Sequence, residues 1–430
     1  MVRARLKPAS LNEWLALLET RHPSEIELGL DRVARVAQRT GLLQPAPRII
    51  SIAGTNGKGS CVAVLESLYM AEGHKTGAYT SPHLVRFNER IRIDGQPVED
   101  QQICDAFELI EGQLGEISLT YFEFTTLAAL LLFRDAGLDV AVLEVGLGGR
   151  LDAVNIIDAD VSVVTSIDLD HQDWLGSDRA SIGLEKAGIA RTGRPLVCGD
   201  PEPPTSFCDY LDALGAIPYQ LGGERFKLLD SDQGLELICT NHKGQTRTYS
   251  NLPQPRLPEF SAACAVQAMI CAGDEPTADN VRQVFAQCQL AGRLQLRDFQ
   301  GRRVLLDVAH NPAAARYLAD KLADLLHEGE RLYALFGVLE DKDIEGIVEP
   351  LLPLVDGWAA CDLRACPRAA NAKQLARELD NRSARVSVFN NVEGALLSLL
   401  GQMRDNDLLL IFGSFYTVAE ALEASARFGD

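Results

Sequence analysis

Residues 48–60 read Arg48-Ile49-Ile50-Ser51-Ile52-Ala53-Gly54-Thr55-Asn56-Gly57-Lys58-Gly59-Ser60, an apolar run that passes into a glycine-rich turn. The residues that follow predict a helix over Ser60–Ala71. A strand, a glycine turn and a helix in this order are typical of a phosphate-binding loop. Glycines let several backbone N–H groups point at one anion, and the helix N-terminus adds partial positive charge. A plain glycine-rich turn is the alternative.

The side chains of this stretch suit the same chemistry. Lys58 could neutralise a terminal phosphate, and the hydroxyl of Ser60 could ligate Mg²⁺. The spacing departs from the common pattern of such loops, because Ile52 replaces its first glycine and Gly59 separates Lys58 from Ser60.

Length and charge narrow the class of protein. A chain of 430 residues is too long for one core and predicts two domains. A net charge of −19 argues against nucleic acid and anionic membranes as partners. We expect a cytoplasmic protein, because residues 1–7 are not followed by an apolar leader segment and the ten cysteines are scattered.

Strands and helices alternate along most of the chain, which predicts an α/β fold with parallel sheets. Residues 1–296 are expected to form a P-loop NTPase-like domain, with a small hairpin region at 219–252. Residues 297–430 repeat the alternation without a second phosphate loop and predict a Rossmann-like domain. The expected strands are Arg48–Ala53, Thr76–Thr80, Val140–Val145, Val161–Thr165, Pro195–Cys198, Val304–Val308, Leu332–Gly337, Gly357–Cys361, Val386–Phe389 and Leu408–Phe412. The expected helices are Leu11–Glu19, Ser24–Thr40, Ser60–Ala71, Glu99–Gln113, Glu123–Asp135, Ser261–Ala272 and Ala278–Cys288.

Polar side chains follow several predicted strands, at the sheet edge where ligands bind in open α/β folds. Glu144 is either a Mg²⁺ ligand or the ion-pair partner of Arg150. Ser81 could complete the Mg²⁺ shell or be an ordinary turn serine, and His171 is either a metal ligand or a surface residue. Lys186 on its own would be read as a solvated helix residue.

The second half has one comparable segment, Asp307-Val308-Ala309-His310-Asn311-Pro312, at the end of a strand. It predicts either a second part of the site or an Asn311 helix cap with passive neighbours.

Seven further motifs accompany the phosphate loop in order: Thr80-Ser81-Pro82-His83-Leu84, Glu144-Val145-Gly146-Leu147-Gly148-Gly149-Arg150-Leu151-Asp152, Asp170-His171, Glu185-Lys186-Ala187-Gly188-Ile189, Gly292-Arg293-Leu294-Gln295, Asp307-Val308-Ala309-His310-Asn311-Pro312 and Gly413-Ser414. The set resembles the folylpolyglutamate synthase/dihydrofolate synthase family of the Mur ligase superfamily. Gly59 after Lys58 favours the folate branch over the cell-wall branch.

The resemblance implies a Mur ligase-like fold and an ATP-dependent ligase of folate biosynthesis and one-carbon metabolism. ATP would phosphorylate the carboxyl group of dihydropteroate or of a reduced folate, and L-glutamate would then attack the acyl phosphate. It further implies two Mg²⁺ ions and small-molecule substrates. We expect a monomer that binds neither nucleic acid nor a membrane.

The resemblance also implies roles for particular residues. The catalytic residues would be Lys58, Lys186 and His310. The nucleotide would be bound by Gly54, Thr55, Asn56, Gly57, Lys58, Gly59, Ser60, Arg293 and Asp307. The metal ligands would be Ser60, Ser81, Glu144 and His171. The pterin would contact Thr120, Tyr121, Phe122, Glu123, Leu151, Asp152 and Ala153, and glutamate would contact His310 and Ser414. Lys186 matches a position that the family carries as N6-carboxylysine, a carbamate made from CO₂.

Three positions depart from the family pattern. Val308 stands where glycine is frequent, Val154 replaces a frequent threonine, and Glu259 occupies the place of an asparagine expected to touch nucleotide, so that contact is left unassigned. Two other functions compete with the folate ligase. A Mur-type cell-wall amino-acid ligase would need an N-terminal UDP-binding domain that the chain does not clearly show. A nucleotide-dependent switch would have no use for Asp307 and His310.

Overall fold

The computed structural model describes residues 8–24, 26–364 and 366–427. The basic start Met1–Lys7, after which no leader segment is predicted, lies outside the described residues. Two compact units divide the chain: the first runs up to His83 and from Phe87 to Cys288, and the second holds Leu84–Arg86 and the chain from Gln289 onward. The predicted boundary at Leu296 differs from this division. Leu296 lies within a strand of the second unit, where it is paired with Leu305.

The first unit is built on an eight-stranded sheet. Its strands are β1 (Arg48–Ala53), β2 (Thr76–Tyr79), β3 (Ile91–Ile93), β4 (Gln96–Pro97), β5 (Val140–Glu144), β6 (Val161–Val164), β7 (Pro195–Cys198) and β8 (Ile217–Gln220). The strand order is β4-β3-β2-β5-β1-β6-β7-β8, with β3 and β4 antiparallel at one edge and the other strands parallel. The five parallel strands predicted in this half are all present, with ends that differ by no more than one residue. The outer strands β3 and β4 at one side of the sheet and β8 at the other were not predicted.

Helices surround this sheet. They are α1 (Leu11–Arg21), α2 (Asp31–Thr40), α3 (Lys58–Ala71), α4 (Asp100–Gln113), α5 (Tyr121–Ala136), α6 (Gln172–Leu175), α7 (Arg179–Ala187), α8 (Thr205–Leu214), α9 (Glu259–Cys271) and α10 (Ala278–Gln287). The predicted helix Ser24–Thr40 is wrong in its first part, because α2 begins only at Asp31. Gly29 has a φ of 150°, outside helical geometry, and its N–H donates to the carbonyl of Leu151. The segment before α2 is thereby held against the loop that carries the predicted pterin residues.

The hairpin region predicted at 219–252 is present as a three-stranded antiparallel sheet. It consists of β9 (Phe226–Ser231), β10 (Gly234–Thr240) and β11 (Thr246–Leu252), with β10 in the middle. Buried residues alternate with half-buried ones along β10, and the strand packs against α9.

The second unit is a six-stranded sheet with helices between its strands. Its strands are β12 (Gln295–Phe299), β13 (Arg302–Leu306), β14 (Leu332–Phe336), β15 (Gly357–Cys361), β16 (Val386–Phe389) and β17 (Leu408–Phe412). Its helices are α11 (Pro312–Leu325), α12 (Ile344–Val348), α13 (Ala372–Asp380), α14 (Val392–Gln402) and α15 (Phe415–Arg427). The order is β12-β13-β17-β14-β15-β16, and only β12 runs antiparallel to its neighbour. This is the Rossmann-like α/β arrangement that the second half predicts.

Each unit has its own apolar core, with one buried tryptophan in each. Trp14 packs beside Phe107 and Phe124 in the first unit, and Trp358 packs beside Phe336 and Phe412 in the second. Among the described residues, no helix combines the length and apolarity needed to cross a membrane.

Candidate active site

Four neighbouring strands of the first unit end beside one another, and each is followed by a polar segment singled out in the sequence. In sheet order these strands are β2, β5, β1 and β6. They lead into the segments that begin at Thr80, Val145, Gly54 and Thr165, respectively. Since the strands are parallel, the topology brings these four segments to one sheet edge.

The glycine-rich turn after β1 has the geometry of a phosphate loop. Gly54 and Gly57 have φ values of 151° and 84°, and α3 starts directly afterwards at Lys58. A Cβ on Gly54 would lie 1.9 Å from Thr165 Oγ1, and one on Gly57 would lie 2.2 Å from Ser261 Oγ. Both positions therefore require glycine for conformation as well as for space.

Residues distant in sequence hold this loop in place. The N–H of Thr55 donates to the carbonyl of Ser166, and the N–H of Asn56 donates to the Ser166 hydroxyl, both at 2.9 Å. The hydroxyl of Thr165 donates to the Asn56 carbonyl at 2.6 Å. These anchors were not predicted, because nothing near the loop in sequence indicates which residues after β6 will meet it.

Two side chains of the loop are arranged to meet a ligand. Lys58 Nζ donates to the carbonyls of Gly54 and Thr55 at 2.9 and 3.3 Å, which keeps its charge over the loop. The Ser60 hydroxyl is buried and has no hydrogen-bond partner among the described residues. A buried polar atom without a partner is costly, and a bound cation or phosphate would satisfy it. Ser60 therefore fits the predicted role of a metal ligand.

Glu144 and Ser81 lie together at the ends of adjacent strands. The Glu144 carboxylate is buried, and its Oε2 accepts the N–H of Ser81 at 3.1 Å. Arg150 forms its ion pair with Glu185 at 2.7 Å, so the alternative that Arg150 serves Glu144 is wrong. Carboxylate and hydroxyl oxygens are ligands that Mg²⁺ prefers, and the set Ser60, Ser81 and Glu144 fits that ion. In the described ranges, no group of three His, Cys, Asp or Glu side chains is arranged to hold a metal.

The segment after β6 carries His171 on an exposed loop. Its side chain is 44% exposed, and Nε2 lies 3.9 Å from Oδ2 of Asp170. The residue has a φ of 50° and immediately precedes α6, on which Trp174 is 47% exposed. The structure thus places His171 at the surface beside the sheet edge, and its role as a metal ligand stays a prediction.

Lys186 lies on α7 and is only 3% exposed, so its interpretation as a solvated helix residue is wrong. Burial, together with the nearby charge of Lys58, lowers the pKa of Lys186 to about 7, while Asp170 and Glu185 oppose the shift. A large fraction of this side chain is therefore a neutral amine at neutral pH.

The predicted pterin stretch forms the start of α5. Thr120 and Glu123 cap the helix reciprocally, and Glu123 also forms an ion pair with Arg32 at 3.1 Å. Tyr121 is the first residue of α5. Phe122 packs over Gly146, where an added Cβ would lie 2.5 Å from its ring. The stretch is thereby joined to the loop after β5.

Asp152 lies in that loop, between Leu151 and Ala153, and is buried. Its carboxylate accepts the N–H groups of Leu147 at 2.9 Å and Val154 at 3.0 Å. Burial raises the pKa of Asp152 to about 6, while these N–H groups and Lys58 oppose the shift. The Val154 side chain is fully buried, so the hydroxyl that a threonine would place here is replaced by an apolar contact.

The pKa of Asp152 leads to a stability prediction. Because its pKa rises from 3.8 to about 6 on folding, the free energy of unfolding should fall as pH rises across that interval, by up to about 3 kcal/mol. Asp152→Asn should lack this fall, so the variant should gain stability relative to the parent between pH 4 and pH 6. Urea unfolding of both proteins across this range measures the difference.

Asp178→Asn is the matched control, because Asp178 caps α7 and the Ser181 N–H lowers its pKa. The contribution of Asp178 to the free energy of unfolding should be lost as pH falls. This pH dependence has the opposite sign to that of Asp152. A parent–variant difference for Asp152→Asn that does not change with pH would contradict the prediction.

The second unit carries four more of the predicted site residues near the ends of β13 and β17. They are Arg293, Asp307, His310 and Ser414. Asp307 is buried and accepts the N–H groups of Leu294 and Ala309, both at 2.8 Å. Burial raises the pKa of Asp307, and Arg293 opposes the shift. The Arg293 guanidinium lies over the ring of Phe415 at 5.1 Å, and the His310 ring lies 6.3 Å from the same ring. Arg293, Asp307 and His310 thus form one cluster.

Helix caps account for two polar side chains near this cluster. Asn311 accepts the N–H of Ala314 at 2.9 Å and caps α11, as one alternative expected. The Ser414 hydroxyl accepts the N–H of Thr417 at 3.1 Å and lies 2.8 Å from the Thr417 hydroxyl. Ser414 is therefore held by α15, and its contact with glutamate stays a prediction. Val308 is buried against Gly292, which explains how the unit accommodates a side chain where glycine is frequent.

Comparison with known proteins agrees with this arrangement. Residues 292–415 match the family described as Mur ligase, glutamate ligase domain. Over 414 residues, the chain is 45% identical to the dihydrofolate synthase/folylpolyglutamate synthase of Escherichia coli strain K12, a match covering 96% of this chain and 95% of that protein. The chain belongs to the dihydrofolate synthase/folylpolyglutamate synthase family.

Solved structures of this family have the same fold. The chain is similar to Escherichia coli FolC in complex with DHPP and ADP, with a TM-score of 0.92 and 44% identity over 98% of this chain and 99% of that one. It is also similar to the bifunctional enzyme of Yersinia pestis complexed with AMPPNP and Mn ion, with a TM-score of 0.90 and 43% identity over 97% and 98% of the two chains. The family and the Mur ligase-like α/β fold predicted from the motifs are confirmed.

Proposed function

We propose that this protein is an ATP-dependent ligase that joins L-glutamate to dihydropteroate and to reduced folates. The observation that supports this most directly is the phosphate loop at Gly54–Ser60. Its buried Ser60 hydroxyl has no hydrogen-bond partner in the described part of the chain and lies on the same sheet edge as Glu144. Such a site suits a nucleotide with its metal, and its neighbours include the stretch that matches pterin-binding residues in the family.

The reaction would proceed in two balanced steps. A carboxylate oxygen of the pterin substrate forms a bond to the γ-phosphorus of ATP, and the bond to the bridging oxygen breaks to release ADP. The glutamate nitrogen then bonds to the acyl carbon, the carbon–oxygen bond to phosphate breaks, and the nitrogen loses a proton. The amide, ADP and phosphate are the products.

Several residues of the first unit would serve the first step. Lys58 and the loop N–H groups would hold the β- and γ-phosphates against the carboxylate, an approach of two anions that needs screening. Ser60, Ser81 and Glu144 would hold one Mg²⁺, and Glu144 with His171 would serve a second. When bound, Mg²⁺ supplies positive charge to the transferring phosphoryl group.

Lys186 would carry the carbamate that the family resemblance implies. Formation of a carbamate requires a neutral amine, and burial of Lys186 supplies one near neutral pH. The modification turns a cation into an anion, so it would reverse the charge next to Lys58 and Asp170. An anion suits a second metal site, whereas an ammonium group would oppose it.

The cluster in the second unit would complete the chemistry. Arg293 and Asp307 would contact the nucleotide, and His310 and Ser414 would bind glutamate. The hydrogen bond from His310 Nδ1 to the Val308 carbonyl, at 2.8 Å, fixes one ring proton on Nδ1. We further propose a cytoplasmic monomer that binds neither nucleic acid nor membranes.

An assay of ADP release tests the proposed function. We expect turnover with ATP, Mg²⁺, L-glutamate and either dihydropteroate or tetrahydrofolate, and a fall to background when any component is left out, because each step needs its own reactant. Coupled spectrophotometry measures ADP, and mass spectrometry of the product counts the added glutamates. Turnover with UDP-linked peptides in place of pterins would refute the proposal in favour of a cell-wall ligase.

A further inference from the structure

Arg90 is a buried cation for which the sequence offered no role. It ends the 3₁₀ turn Phe87–Arg90 and is 9% exposed. Its guanidinium carbon lies 5.5 Å from the ring centre of Phe87 and 5.7 Å from that of Tyr121. Its Nε donates to Nδ1 of His83 at 2.9 Å. The guanidinium is thus held rigidly between two aromatic rings and an imidazole.

In the part of the chain that the structure describes, Arg90 forms no ion pair, and His83 is its one side-chain hydrogen-bond acceptor. Arg92, two residues on, shows the usual arrangement, with both Nε and a terminal nitrogen bound to the Glu66 carboxylate. A buried guanidinium without an anion is unfavourable, so Arg90 is suited to receive one from a ligand.

The position of Arg90 indicates which anion this is. Tyr121, which contacts it, belongs to the stretch that matches pterin-binding residues, and His83 is two residues from Ser81, a candidate metal ligand. Arg90 therefore touches segments that would receive the two ends of the acceptor substrate. In the proposed mechanism, Lys58 and Mg²⁺ would screen the carboxyl group that becomes phosphorylated. An acceptor that carries glutamate has one further anion, its α-carboxylate.

We propose that Arg90 binds the α-carboxylate of an acceptor that already carries a glutamate residue. The inference rests on the proposed function and names the residue that adapts the site to its second class of substrate. The neighbouring rings restrict water around the guanidinium, which strengthens a hydrogen-bonded pair with a carboxylate. In a chain with a net charge of −19, such a local cation also offsets repulsion of a dianionic substrate.

Dihydropteroate and tetrahydrofolate provide an internal comparison, because only tetrahydrofolate has an α-carboxylate. Arg90→Met keeps the stem between the rings and removes the charge. We expect KM for tetrahydrofolate to rise ~10- to 100-fold and KM for dihydropteroate to change less than ~3-fold, since one charge-assisted contact is lost for the first substrate alone. Arg90→Lys should recover part of the loss. Steady-state ADP release with each substrate gives both constants.

Two controls separate binding from folding. Arg92→Met leaves Glu66 buried without its partner and should lower the melting temperature without changing the ratio of the two KM values. With the unaltered protein, a folate analogue that carries γ-aminobutyrate in place of glutamate keeps the reactive carboxylate and lacks the α-carboxylate. It should bind more weakly than tetrahydrofolate to the parent and equally well to Arg90→Met.

Equal changes in both KM values for Arg90→Met would overturn the inference, as would an analogue that binds the parent as tightly as tetrahydrofolate. A parent protein that turns over dihydropteroate but not tetrahydrofolate would also overturn the inference. Turnover of neither substrate by the parent would instead refute the proposed function on which the inference rests.

Discussion

Replacement of Lys58 by alanine is expected to lower kcat for glutamate ligation by about 10³-fold or more, because the lysine opposes charge that develops during phosphoryl transfer. In the structure its ammonium group is bound by the carbonyls of Gly54 and Thr55, so it already lies over the loop before a ligand arrives. Steady-state ADP release with saturating dihydropteroate and glutamate measures the effect.

The melting temperature should change little in Lys58→Ala, because the side chain contributes no apolar packing to a core. Lys75→Ala is a matched control: Lys75 also binds a carbonyl, that of Ala136, but lies outside the candidate site. A Lys58→Ala variant with near-normal kcat would remove Lys58 from the proposed mechanism.

The second large effect is expected at Lys186. Lys186→Ala should lose nearly all activity, because the carbamate proposed at this buried position would be lost together with its charge. Small carboxylates such as acetate should restore part of the activity by occupying the space left. In the parent, native mass spectrometry should show a labile increase equal to one CO₂ molecule, absent from the variant.

A stability measurement separates this role from a structural one. In CO₂-free buffer Lys186 is the unmodified amine. Since burial lowers the pKa of that amine to about 7, its protonated form destabilises the folded protein, and that destabilisation grows as pH falls from the ordinary lysine range toward 7. Lys186→Met should therefore be at least as stable as the parent at pH 7 and still inactive. An unmodified parent lysine together with failure of acetate rescue would refute the carbamate proposal.

The buried strands were predictable because their apolar runs are bounded by turn residues. Arg48–Ala53, Gly357–Cys361 and Leu408–Phe412 match their predicted bounds, and each is largely buried. The strands β3 and β12 were not predicted, since they mix charged and apolar residues and form because a neighbouring strand offers hydrogen bonds. Strand order likewise depends on packing between distant segments, which no local pattern specifies.

In the candidate site, too, features set by the local sequence were predictable, whereas features set by contacts between distant segments were not. The phosphate loop was predictable, because Gly54, Gly57 and Lys58 lie in one short stretch of sequence and their chemistry is local. Its anchors Thr165 and Ser166 were not, as they come from the segment after β6, more than 100 residues away in sequence. The burial of Lys186 could not be predicted from the sequence either, because the residue types around it suit an exposed helix face equally well.

The distribution of the three tryptophans gives this protein a built-in optical reporter. Trp14 and Trp358 are buried in the two cores, whereas Trp174, on the short helix α6 after His171, is about half exposed to solvent. A soluble quencher such as acrylamide will therefore extinguish the fluorescence of Trp174 first. Titrating nucleotide against that quenchable fraction follows events at the β6 edge of the site without a label, a coupled enzyme or a substituted residue.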